Sequence, residues 1–185
     1  MYHALAAHHL VTADPTTFLS EAGKHLLEAS SIMSLLAVNI SSGQWKRQFS
    51  RRAPNPPELC EHVCAALALM FKGQAQAMAF MKSANVGSTP ATIKSRLAVG
   101  VINSMTGAFN TFCGAPDAIA LYGDYMAHIH ITRQLYASLA YEYAARAYAD
   151  KTEVGNAIAF CEAAKVRFRL LLAVIFKLMF DIRYQ

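Results

Sequence analysis

A pair of long antiparallel helices over residues 124–180 constrains this chain more than any other stretch of it. In the first, Tyr125, Ile129, Leu135, Tyr136, Leu139, Tyr143 and Tyr148 recur at helical spacings, which gathers bulky apolar side chains along one side of an α-helix. Between them Ala137, Ala140, Ala144, Ala145, Ala147 and Ala149 favour helix and let a neighbouring helix approach closely. The pattern breaks at Asp150-Lys151-Thr152. Thr152 is predicted as the N-cap of the second helix, with Glu153 set against the positive end of its dipole, and Ala157, Ile158, Phe160, Cys161 and Ala164 carry the helix on.

The remaining segments repeat this chemistry. Residues 2–10 suit a short helix, which Asp14-Pro15 cuts while starting the next. Phe18, Leu19, Ala22, Leu26, Leu27, Ala29, Met33, Leu36 and Ile40 then keep a helical period as far as Ser41-Ser42-Gly43, where the glycine supplies the stop. Residues 44–57 hold Pro54, Pro56 and Pro57 among polar and basic residues and are predicted as a loop, with Pro57 opening the following helix. That helix runs to about Asn85, its apolar side formed by Leu59, Val63, Ala66, Leu67, Met70, Phe71, Met78 and Met81. Thr89 before Pro90 is predicted to cap a helix over residues 91–112, where Ile93, Leu97, Val101, Met105 and Phe109 form a four-residue staircase along one face. Gly114 to Pro116 ends it. Alternating strand patterns with turn chemistry are missing, so the predicted class is all-α: helical hairpins in a bundle or short solenoid, one domain over residues 1–185.

Composition narrows the function. With 55% of its 185 residues apolar, the chain has ample material for a core. Only 16% are charged, so an apolar surface and a tendency to associate are expected. The formal charge of +5 gathers at Lys46-Arg47, at Arg51-Arg52 and from Lys165 to Arg183, without a nucleic-acid recognition motif, and no nucleic-acid partner is expected. Cys60, Cys64, Cys113 and Cys161 lack the spacing of a disulfide framework or a zinc module, and this points to a reducing compartment. No secretory leader is recognisable and the longest apolar run, 170–176, is too short to cross a bilayer, so a soluble cytoplasmic location is expected. His8-His9 and His128-x-His130 cannot each share a ligand sphere while helical, and no Glu-x-x-His pairing occurs. With no nucleophile elbow, phosphate loop or dinucleotide fingerprint either, neither a metal, a cofactor nor an enzymatic activity is expected.

The order of several short motifs resembles the Bro-one (BRO) domain of endosomal adaptors. They are Gly73-Gln74-Ala75-Gln76 followed by Phe80-Met81-Lys82, then Tyr136-Ala137 with Ala140 and Tyr143, then Gly155-x-Ala157-Ile158-Ala159 with Ala163-Ala164. Upstream, Tyr2 to Ala6 and Ala22 to Ala29 fit the same order, so nearly the whole chain is covered as a core fragment of such a domain. The resemblance implies a tetratricopeptide-like array that acts as a non-catalytic adaptor, binding the C-terminal amphipathic helix of an ESCRT-III-type subunit in endosomal sorting and multivesicular-body transport. By position it assigns Ile93, Leu97 and Lys82 to the partner-binding patch. The patch's aromatic member falls at Ala79, with Phe80 next to it. A different reading of the same residues is a peripheral membrane protein whose basic clusters, Lys46 to Arg52 or Lys165 to Arg183, rest on anionic lipid.

Overall fold

The computed structural model describes residues 19–43, 60–114 and 123–183, which form five helices and no strand. They are α1 (Leu19–Ser41), α2 (Glu61–Asn85), α3 (Ala91–Cys113), α4 (Gly123–Ala149) and α5 (Val154–Arg183). The expected helix over 2–10, the Asp14-Pro15 start, the 44–57 loop and the Lys46 to Arg52 cluster lie outside the described residues.

Each helix packs against the next in sequence, and every adjacent pair is antiparallel. Between α1 and α2, the Lys82 ammonium donates to Ser20 Oγ (2.6 Å) and Ser30 Oγ donates to the Ala68 carbonyl (2.8 Å), so the start of one helix meets the end of the other. Ser104 Oγ donates to Gln76 Oε1 (2.9 Å) between α2 and α3, and Ser95 Oγ to the Ala140 carbonyl (3.0 Å) between α3 and α4. Small residues set the spacing. A Cβ built on Gly73 would lie 2.9 Å from Met105 Cε, the flexible end of that side chain, and 3.3 Å from Ser104 Cβ, so a larger residue here would make Met105 swing aside and Ser104 give by a few tenths of an ångström.

One core joins α1 to α4. Val63, Ala66, Met70, Ala98, Val101, Met105, Ala108, Phe112 and Ile129 are sealed within it. Phe80 reaches past α3 to pack edge-on against Tyr136 and Tyr143 of α4, with ring centroids 5.4 and 5.7 Å away. Among the described residues α2 alone is long and apolar enough to cross a membrane, with mean hydropathy 1.3 over its most apolar 18 residues, but 56% of that window is buried inside the protein. Its apolar character is used by the core.

Burial also pushes the Tyr136 phenol up to about 12 from an ordinary value of 10.0. Below pH 10 both folded and unfolded forms keep the proton. Above it the unfolded chain releases the proton first, so stability is lost as pH rises from about 10 to about 12, by on the order of 2 kcal/mol. Urea unfolding at pH 9 and at pH 11.5 is expected to show this loss in the native protein and a shallower one in Tyr136→Phe. Equal slopes for the two proteins would contradict it.

Two helix starts differ from the sequence expectation. Pro90, and not Thr89, occupies the cap position of α3, and no side chain caps that end. Thr152 does not cap α5 either. It sits at φ 63, where its N–H bonds to the Ala149 carbonyl (2.9 Å) while that of Glu153 bonds to the Tyr148 carbonyl (3.0 Å), the paired bonds of a Schellman ending to α4. A β-branched residue holds a position normally given to glycine, at a cost of about 1 kcal/mol or more. Glu153 takes over the start of α5, its carbonyl accepting from the Ala157 N–H and its carboxylate from Asn156 Nδ2 (2.7 Å). Gly43, at φ 74, ends α1 as expected.

Candidate functional site

The residues assigned to the partner-binding patch divide between surface and core. Ile93, in the first turn of α3, is 47% exposed, while Leu97, one turn later, is half-buried and packs on the core. Ala79 and Lys82 are exposed on α2. The contacts Gly73 to Ser104 and Leu69 to Gly107 fix the register of the antiparallel pair, and that register sets 79 and 82 level with 97 and 93. The four residues therefore share one end of the α2/α3 pair. Phe80 does not join them. At 5% exposure and clasped by two tyrosines, it is a core residue, because the next position along a helix is turned by about 100°.

Ile93 and Leu97 supply branched apolar surface, and Ala79 a gap beside them. Lys82 supplies a cation, which spends one donor on Ser20 and keeps two N–H groups. This chemistry suits an apolar ridge with an acidic neighbour.

Two further features escaped the sequence reading. On α5, Val154, Ile158, Cys161, Lys165, Phe168 and Leu172 follow one another at alternating intervals of four and three, and all are exposed. A heptad stripe of this kind is the seam by which helices pair. An adjacent side of α5, turned by about 100°, packs on α4, where Phe160 stacks on Tyr148 (5.1 Å) and lies 5.9 Å from Tyr141. The stripe was hidden because α5 carries two apolar faces and the sequence does not say which one α4 takes.

The second feature is a cleft of about 450 Å³ where the turn between α2 and α3 meets the end of α4. Lys94 lines it and is only 8% exposed, its ammonium 5.6 Å from the centre of the Tyr143 ring. Arg146 lies over the same ring at 5.1 Å and pairs with Glu142. A lysine at a core-facing position of a helical period carries no marker in the sequence that separates it from a surface one.

Among the described residues no three His, Cys, Asp or Glu side chains cluster to hold a metal ion. Cys64 is buried, which raises its thiol pKa, with neighbouring Cys60 a smaller contribution in the same direction. Loss of hydration lowers the pKa of His128, and the neutral ring nitrogen that this favours sits 3.2 Å from Gln74 Nε2. No family model, curated protein or solved structure matches the chain.

Proposed function

We propose that the protein is a non-catalytic adaptor that docks a partner's amphipathic helix on the α2/α3 face, as the BRO-like motif order implies, with an ESCRT-III-type subunit in endosomal sorting as the partner. The observation that carries this reading is Ile93: a branched apolar residue nearly half exposed, level with exposed Ala79 and Lys82, on a helix whose other large side chains are mostly committed to the core. The solenoid-like, tetratricopeptide-type arrangement belongs to the same proposal. Its support is the bridging of Phe80 to Tyr136 and Tyr143 and of Gln74 to His128, since contacts between every second helix are what a zigzag of hairpins produces.

Burying Ile93 under a partner contributes about 1.5–3 kcal/mol, and an aspartate there adds the cost of desolvating a charge. Ile93→Asp is therefore expected to weaken a fluorescent acidic amphipathic peptide by at least about thirtyfold in an anisotropy titration. Its melting temperature should stay within a few degrees of the native protein's, because the side chain is already half in water. Unchanged affinity in a folded variant would contradict the assignment, and so would unfolding.

A second reading is favoured by the α5 stripe. Exposed Val154, Ile158, Phe168, Leu172 and Phe176, with Lys165 and Arg169 beside them, have the make-up of a helix that lies on an anionic lipid surface. Flotation with vesicles that contain anionic lipid, against vesicles without it, separates this from helix docking.

A further inference from the structure

The α3 start and the Lys94 side chain bear on one cleft from two directions. Pro90 at the cap position offers no side chain to the first turn, the Ile93 and Lys94 N–H groups both turn to the Pro90 carbonyl (3.1 and 3.3 Å), and the Ala91 and Thr92 N–H groups find no acceptor among the described residues. Such a helix end carries roughly half a positive charge and attracts anions. Lys94 is the independent sign. The residue is more than nine-tenths buried, and neither a carboxylate nor a hydrogen-bond acceptor pairs with its ammonium among the described residues, the Tyr143 ring lying 5.6 Å away. The side chain is packed along its length and its ammonium opens on the cleft, where a cation without a counter-charge attracts an anion.

We infer that this cleft binds a single carboxylate group of a peptide, held by the Lys94 ammonium and the free N–H groups at the start of α3. The charge at the cleft selects one negative charge over two. The guanidinium of Arg146 is already committed to Glu142, and Asp150 stands on the rim, so a dianion such as phosphate would meet repulsion with only one unpaired cation to offset it. Ser88 and Thr89 at the mouth add hydroxyl groups that can donate to a carboxylate oxygen. At about 450 Å³ the open cleft admits one or two peptide residues around that group. Ile93 and Leu97 do not line it, so the site stands apart from the proposed helix-docking face.

The test is an amide-shift titration of the full chain with sodium acetate at constant ionic strength, with chloride as the balancing anion, and a parallel one with inorganic phosphate. Saturable shifts at Ala91 and Thr92 are expected with acetate, and weaker binding with phosphate. Two short acetylated peptides then separate the sources of the group: one ends in a free carboxylate with no acidic side chain, the other is amidated and carries one glutamate. At least one must bind more tightly than acetate.

Lys94→Met is expected to weaken acetate at least about tenfold with its melting curve cooperative. Should that variant not fold, Arg146→Gln, at an exposed position, is expected to weaken it about threefold by loosening the Tyr143 ring that both cations share. Ile93→Ala, which removes the docking side chain without adding a charge to the start of α3, must leave acetate binding unchanged, which keeps failure of this site distinct from failure of the docking face. Non-saturating shifts, unchanged binding in the folded cleft variant, or phosphate bound more tightly than acetate would each overturn the inference.

Discussion

Phe112→Ala is expected to destabilise the protein by about 3–5 kcal/mol, the range for removing a fully enclosed aromatic ring and leaving a cavity. Phe112 is 0% exposed in the last turn of α3, its ring stacked on Tyr125 with centroids 6.5 Å apart. It closes the core at the end where α3 meets the start of α4. Against a typical domain stability of about 5–15 kcal/mol the loss takes a large share. The urea midpoint should fall sharply with little change in slope. A loss below about 1 kcal/mol would mean that this end of the core collapses around the gap or is not packed as described.

Phe80→Ala should cost nearly as much, about 3–5 kcal/mol, because it removes a buried ring and two edge-on aromatic contacts together. It also separates two roles for the same residue. As a core residue, Phe80 affects partner binding only through the folded fraction, so affinity measured well below the melting temperature should change little. If instead the variant stays stable and loses the acidic amphipathic peptide, the ring faces the partner and its burial between Tyr136 and Tyr143 is mistaken.

The element pattern was legible in the sequence because apolar periodicity, glycine stops and proline breaks act over a few residues. The helix ends at Asn85 and Gly43 and the hairpin around residue 150 follow from such local signals. The buried faces were harder to read. On α3 the staircase Ile93, Leu97, Val101, Met105, Phe109 marks the large residues, yet the face that is buried runs through Lys94, Ala98, Val101, Met105, Ala108 and Phe112. Small residues decide this, since a helix approaches closest where alanine and glycine leave room, and a large side chain beside them can end on the surface.

The same effect buries Ala29 and Ala37 on α1 while Leu27, Leu35 and Val38 stand exposed. On α4, Leu135 is 38% exposed although it falls in the predicted stripe. The exposed apolar surface expected from the low charge content is therefore present, spread over α1, α3 and α5. Of the patch residues, the position of Ile93 on a helix was legible, but its exposure, and the inward turn of Phe80, depended on which neighbours the helices chose.

On the proposed function, the α2/α3 face receives an amphipathic helix. The most direct measurement is a map of amide shifts in the labelled chain on adding an unlabelled acidic amphipathic peptide. The largest shifts should fall at Ala79, Lys82, Ile93 and Leu97, saturate together, and vanish in Ile93→Asp. Shifts confined to α5 between residues 154 and 176, with the α2/α3 face silent, would contradict it.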